Sequence, residues 1–314
     1  MCAVMDVKRL FISKVVELLE KERFNVSIME GRVSCFDILA ARRSFILLLK
    51  FLLNIDGLSE DQAADIKRLS SIFRAYPLII GEKTRHFQMD DGVLYTRYGL
   101  NAITLKTFED IIVREEYPVT LSSRGGYYVK IDREKLRRVR RERGISLGEL
   151  AEHIGVSKTM VYAYEHSDQG ATLLTVIKLE EYLGEDVTAV PEVFFIPALE
   201  EDYAVTVKAH HEPIFTRLEE IGFEIQPIKR APFDAVTKSE DDSILTKVDR
   251  RPERTLREIR LFKEISDLSG RSAFVVAESS DAKESVDGLP VIKLTELGRM
   301  ETSAELLETL ASRC

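Results

Sequence analysis

Apolar residues recur through residues 7–21 on one helical face, at Leu10, Phe11, Val15, Leu18 and Leu19, a spacing that a 3.6-residue period stacks together. That pattern predicts a helix. The period then shortens. Residues 24–28 and 34–40 read as strands, and 45–53 is an apolar run holding a single charge, Lys50, which predicts a buried strand. A helix is expected over 61–76, a strand over 77–81, a last strand over 99–105 and a closing helix over 107–113. The same order returns near the other end. A helix over 213–222 precedes strands over 223–228, 232–236 and 243–248, a long helix over 253–269, and strands over 273–277 and 288–294.

The two flanking segments agree in detail as well as in order. Phe36-Asp37 and Phe233-Asp234 each begin a strand pair, and Lys50 and Lys247 each follow their aspartate by 13 positions. We read them as tandem copies. The competing reading is two unrelated α/β units with a common element order. Ser122-Ser123-Arg124-Gly125-Gly126 is a polar, glycine-bearing break and serves as the first linker, and residues 187–198, bracketed by Pro191 and Pro197, as the second. The expected domains are therefore 1–125, 126–186 and 187–314.

Between the copies, residues 146–165 read as a helix-turn-helix. Ala151 supplies a small side chain where two helices cross. Gly155 supplies the turn, where a positive φ costs glycine nothing. Val161 returns an apolar group to the same core. This spacing sets a second helix across the first at the angle used for major-groove docking. Ser146 and Ser157 fit the N-caps of the two helices, whose N-termini also suit phosphate. Lys158, Thr159 and Tyr162 are then expected to face outward, toward base edges and phosphates.

Charge and composition refine this picture. The chain has 314 residues and a net charge of −8, which argues against non-specific coating of nucleic acid. Yet residues 130–143 carry Lys130, Arg133, Lys135, Arg137, Arg138, Arg140, Arg141 and Arg143 against Asp132, Glu134 and Glu142. Beside the motif, Arg138 and Arg141 become candidate phosphate contacts; alone, the run would be a solvated helix face. Cys2, Cys35 and Cys314 lie far apart, with no metal-ligand spacing, and fit a reducing compartment. No signal peptide or membrane-length apolar run is recognisable, so the expected location is cytoplasmic, without a membrane partner.

The central stretch resembles the lambda-repressor and Cro-like (XRE) helix-turn-helix family. The match is carried by 136–140, Gly144-Ile145-Ser146, Leu150-Ala151, Gly155-Val156-Ser157, Val161, Glu165, Leu173, Ile177, Leu179 and Leu183-Gly184, about a sixth of the chain. The resemblance implies a compact all-α domain with Leu136, Val139, Leu150, Ala151, Ile154, Val161, Tyr164 and Ile177 as core. It also implies a structural ion pair between Arg140 and Glu165. The chain departs from the family at Leu147, where a polar residue, often Gln, is common.

The flanking segments resemble the PD-(D/E)XK nuclease core, in which two carboxylates hold Mg²⁺ and a lysine assists. Asp37 and Lys50, and Asp234 and Lys247, occupy matching positions, but the second carboxylate is Leu48 in one copy and Leu245 in the other. Mg²⁺ needs a near-octahedral oxygen shell, so these are expected to be vestigial positions unless Glu17, Asp56 or Glu219 substitutes. No phosphate-binding loop or nucleophilic triad is recognisable, His210-His211 reads as a surface pair, and no catalytic residue, metal or cofactor is expected.

Taken whole, and through Asn54-Ile55-Asp56, the phrase at residues 95–99 and the block from 129 to 165, the chain resembles the archaeal "putative HTH-type transcriptional regulators". That resemblance implies a DNA-binding regulator of transcription. Double-stranded DNA is the expected partner and a homodimer the expected state, with the α/β segments as the source of its interface. An effector would be a small molecule or a protein. The alternatives are a Mg²⁺-dependent nuclease or DNA-processing factor, and a protein-interaction scaffold.

Overall fold

The computed structural model describes residues 2–29, 34–123, 126–198, 213–228, 230–239, 242–249 and 256–313. Helix α1 (Cys2–Lys21) leads into β1 (Asn25–Ile28), β2 (Ile38–Arg42) and β3 (Phe45–Asn54). Helix α2 (Glu60–Phe73) precedes β4 (Tyr76–Lys83), the hairpin β5 (Val93–Arg97) and β6 (Leu100–Ile103), and α3 (Leu105–Arg114). A second hairpin, β7 (Thr120–Ser123) and β8 (Gly126–Val129), enters α4 (Arg133–Glu142), α5 (Leu147–Ile154), α6 (Lys158–His166) and α7 (Leu173–Leu183). Then come α8 (Pro213–Glu220), β9 (Glu224–Pro227), β10 (Ala235–Lys238), β11 (Ser243–Asp249) and α9 (Leu256–Ser269). The chain closes with β12 (Ala273–Ala277), β13 (Ser285–Val286), β14 (Leu289–Lys293), α10 (Leu294–Leu297) and α11 (Ser303–Ser312).

These elements form two compact bodies. The first takes 1–51, 58–78 and 196–314, and the second takes 52–57 and 79–195. The sequence boundaries at 125 and 186 both fall inside the second.

In the first body, β1, β2 and β3 lie in that order, and β9, β10 and β11 repeat it as β9-β10-β11. The register repeats residue for residue. Ile38 pairs with Leu49 and Leu39 with Leu48, while Ala235 pairs with Thr246 and Val236 with Leu245. The parallel β11–β12 and β12–β14 pairs cover their core with α8 and α11 through Phe215, Leu218, Phe274, Ile292 and Leu306. A capping box between Ser59 and Gln62 starts α2. At its far end Ser70 Oγ donates to Ala75 O at 2.6 Å, and at the end of α9 Ser266 Oγ donates to Arg271 O at the same distance.

In the second body, β4 runs parallel to β6, β6 pairs antiparallel with β5, β5 parallel with β7, and β7 antiparallel with β8. Strand β6 is therefore not the last. Tyr98 and Gly99 both have positive φ, 51° and 72°, which fits the two-residue turn whose twist matches its strands. Asp287 and Gly288, at 50° and 77°, make the same turn between β13 and β14.

Both linkers expected from sequence are tied down. Ser122 pairs with Tyr127 and Ser123 with Gly126, so the residues on both sides of the glycine-bearing break belong to one antiparallel strand pair. In the 187–198 stretch, Val187 O accepts from Asp132 N at 2.9 Å, and Ala189 N donates to Lys130 O at 2.8 Å. The buried Asn101 amide donates to both Glu192 O and Val193 O at 3.0 Å. Backbone this well paired does not behave as a spacer. The four helices α4–α7 are likewise anchored to β8, because Val129 and Ala171 exchange backbone hydrogen bonds at 2.8 and 3.0 Å.

Removing the Asn101 amide leaves two carbonyls without their donor. Asn101→Ala is expected to lower unfolding free energy by roughly 1–3 kcal/mol in urea denaturation, with proteolysis becoming faster around residues 190–198.

Candidate nucleic-acid interface

The helix-turn-helix is built on a small core. Leu136, Val139, Leu150, Ala151, Ile154, Val161 and Tyr164 are all buried and pack with Val176, Leu179 and Leu183 of α7. Ile177, expected in that core, is instead exposed, as is Leu173 at 62%. The inward face of α7 is one residue out of phase with that expectation. Val176 takes the buried place, three residues before Leu179 and seven before Leu183.

The turn works as its residues suggest. Gly155 has φ 74° and its N–H reaches Ala151 O at 3.0 Å, while Val156 N donates to the same carbonyl. Ser146 Oγ accepts from Glu149 N, and Ser157 Oγ from Met160 N, each at 3.1 Å. Both helices therefore begin on a side-chain cap, which leaves their first amides directed outward. Positive potential at those ends favours an anion.

A buried ion pair locks the two helices to α4. Arg140 Nε bonds Glu165 Oε1 at 2.5 Å, Nη2 bonds Oε2 at 2.9 Å, and Nη1 bonds Ile145 O at 2.8 Å. The Glu165 side chain is 1% exposed. Its hydrogen bond holds the Arg140 guanidinium above its ordinary pKa, against the effect of burial. All of Arg140 is thus spent on structure, and it leaves the basic face of α4. Arg133, Arg137, Arg138, Arg141 and Arg143 remain exposed.

Lys158, Thr159 and Tyr162 occupy the open face of α6, Tyr162 at 53% exposure. Two features of this face were not expected from sequence. Met160 is 37% exposed. The His166 ring stacks on Tyr162 at 4.0 Å, with Nδ1 2.9 Å from Tyr162 O. An aromatic residue and a histidine four apart on a helix were the available signal. Leu147 is half-buried and packs against the core, so the position that is often polar in the family serves packing here.

The nuclease-like positions are occupied differently. Asp37 Oδ1 accepts from Lys8 Nζ at 2.7 Å, and Oδ2 from Phe51 N at 2.8 Å, with Lys50 Nζ at 3.4 Å. Lys50 Nζ also donates to Ser34 O at 2.6 Å, and burial pushes its pKa down. Asp234 Oδ2 accepts from Val248 N at 2.8 Å, and Lys247 reaches Pro232 O at 3.1 Å and Glu258 at 3.2 Å. Leu48 and Leu245 are fully packed.

None of the three acids considered as replacements meets these groups. Glu17 pairs with Lys21 on the α1 surface, and Glu219 is exposed on α8. Asp56, in the other body, accepts from Arg97 at 2.5 Å and Arg85 N at 2.6 Å; burial raises its pKa, but these donors outweigh that and hold it low. Glu258, which the sequence pattern did not single out, is the acid beside Lys247. Among the described residues no three His, Cys, Asp or Glu side chains converge as metal ligands. One carboxylate held by two ammoniums and a backbone amide does not fit Mg²⁺ at Asp37. The His210-His211 pair lies outside the described residues.

Comparison with known proteins matches two stretches of the chain. The model of the PD-(D/E)XK superfamily domain matches residues 8–118, and a helix-turn-helix model matches 136–190. Three archaeal relatives align along nearly their whole length. They come from Methanothermobacter thermautotrophicus (36% identical, 96% of each chain), Pyrococcus furiosus (35%, 98% of each) and Methanocaldococcus jannaschii (36%, 98% of each). Each is named "Putative HTH-type transcriptional regulatory protein".

Breaking the buried pair from one side strands a charge. Arg140→Ala is expected to cost about 3–5 kcal/mol in chemical denaturation, whereas Arg140→Met combined with Glu165→Leu should recover most of that loss. Equal destabilisation by both variants would count against the ion pair as the lock between α4 and α6.

Proposed function

We propose that this chain, which belongs to the archaeal family of "putative HTH-type transcriptional regulatory proteins", is a DNA-binding regulator of transcription that docks α6 in the major groove. Residues 126–186 are its DNA-binding part, and the α/β segments 1–125 and 187–314 act without catalysis. The observation that carries this reading is the open face of α6. Lys158, Thr159 and Tyr162 are exposed there on a helix whose other side is locked by Arg140 and Glu165. Ser157 caps its start, so a phosphate can be met by backbone amides and Lys158 together. Because Leu147 packs inward, base readout falls to α6. Arg138 and Arg141 supply phosphate contacts from α4.

One such helix reads a half-site. A homodimer would place two of them about 34 Å apart on one face of a duplex. Selection from a random duplex pool should then return sites with two related halves spaced by whole helical turns.

Lys158→Ala combined with Arg138→Ala should weaken duplex binding and shallow its salt dependence, by about one unit of slope for each phosphate that is no longer neutralised. Binding indifferent to both changes would favour a protein-docking role for the motif. The nuclease reading keeps its support from the match over residues 8–118. Plasmid incubated with Mg²⁺ should stay supercoiled with the native chain and with Lys50→Ala or Lys247→Ala. Nicking by the native chain that either variant abolishes would replace the regulator with a nuclease.

A further inference from the structure

The interactions of one α/β segment recur in the other at nearly constant offsets. Asp37 N donates to Leu49 O at 2.8 Å, and Asp234 N to Thr246 O at 2.9 Å; Met29 N reaches Asp37 O and Ile228 N reaches Asp234 O, both at 2.9 Å. Each aspartate takes the backbone N–H one residue past its lysine. Each helix ends on the same serine-to-carbonyl bond. The two segments are copies in geometry as well as in pattern.

Within the first body, the copies also meet each other reciprocally. Ser27, beside β1's end, donates to Glu264 of α9 at 2.9 Å. In the opposite sense Arg68 of α2 donates to Pro227 O at the end of β9 at 3.3 Å. Arg68 and Glu264 are equivalent, each two residues before its helix-ending serine, and β1 and β9 are equivalent strands. The exchange holds element for element, each helix bonding the other copy's first strand, and such an exchange of equivalent elements is the arrangement of a two-fold dimer. The segments leading to the two aspartates then meet directly: Arg230 O accepts from Cys35 N at 2.9 Å and from Ser34 Oγ at 3.2 Å. Phe73 and Phe233 pack edge to face beside them, 6.2 Å apart.

We propose that the two α/β copies form a pseudo-two-fold dimer inside one chain, and that Lys50 and Lys247 are its fasteners. Each lysine reaches back from its strand to a carbonyl of the segment that lies at the junction, Ser34 O for Lys50 and Pro232 O for Lys247. A lysine in that strand position of a metal nuclease would face the reacting phosphate. Here both lysines are buried, at 6% and 5% exposure, and each holds backbone as well as a carboxylate. Charge-assisted bonds to carbonyls in a dry setting are among the stronger polar contacts, so these two fix the loops that must match across the junction. These contacts occupy the pairing face of each copy, so the expected homodimer cannot use them without opening the chain.

The test uses the full chain with a protease site inserted between residues 198 and 213 and cut once after purification. The two pieces should co-elute as a 1:1 complex on size exclusion. Separation or aggregation of the pieces on cutting would overturn the pairing. Lys50→Met and Lys247→Met, introduced singly, should each raise the dissociation constant of the cut pair by about tenfold or more. Lys8→Met is the control, since it removes an ammonium whose hydrogen bond goes to Asp37 and not to a junction carbonyl, and should leave that constant unchanged. Equal effects from all three, or none from either junction lysine, would remove the lysines from the interface. Far-UV circular dichroism of each uncut variant separates loss of fold from loss of pairing.

Discussion

The orientation of the open face of α6 rests on a largely buried guanidinium and carboxylate. Glu165 closes α6 and Arg140 lies on α4, so their paired bonds fix one helix against the other at two points. Arg140 also takes Ile145 O, tying the segment between α4 and α5 into the same arrangement. A buried pair of this kind contributes little net stability over an apolar substitute. Its value lies in geometry, because the charges tolerate only the docking in which both are satisfied. Lys158, Thr159 and Tyr162 stand outward because their neighbours Val161, Tyr164 and Glu165 are held inward.

The α/β body shows a different use of charge. In a PD-(D/E)XK enzyme the aspartate and lysine face a metal and a phosphate. At Asp37 the carboxylate is instead shared by Lys8, Lys50 and the Phe51 amide, and the ammonium of Lys50 is shared between Asp37 and Ser34 O. The second carboxylate is replaced by a leucine packed in the sheet. Burial also raises the Cys35 thiol to about 12, so the cysteine at this junction stays protonated and unreactive. The polar contacts around residues 34–37 thus tie backbone and side chains together.

Several elements were legible from the chain alone because each is set by local physics. Apolar spacing located α1, β3 and the long helices, serines marked the caps of α5 and α6, and Gly155 marked the turn, since these depend on neighbours within a few residues. The 13-residue interval between aspartate and lysine marked the strand register that recurs at β2–β3 and β10–β11. Hairpin geometry was harder to read. Tyr98-Gly99 and Asp287-Gly288 take positive φ at both positions, yet only the glycines advertise it. The Ser122–Gly126 break looked like a spacer because its composition is that of any turn, and only strand pairing distinguishes the two.

What the sequence decided by itself was where the longer helices and strands lie and which residues cap and turn the helix-turn-helix, because periodicity, caps and turn glycines act over short range. What only tertiary structure decided was partnership. The burial of Val176 in place of Ile177, the anchoring of residues 192–193 by Asn101, Glu258 beside Lys247, and the contact of the loops before Asp37 and Asp234 all join residues far apart in the chain. Their energies depend on desolvation and on distances that no local pattern records.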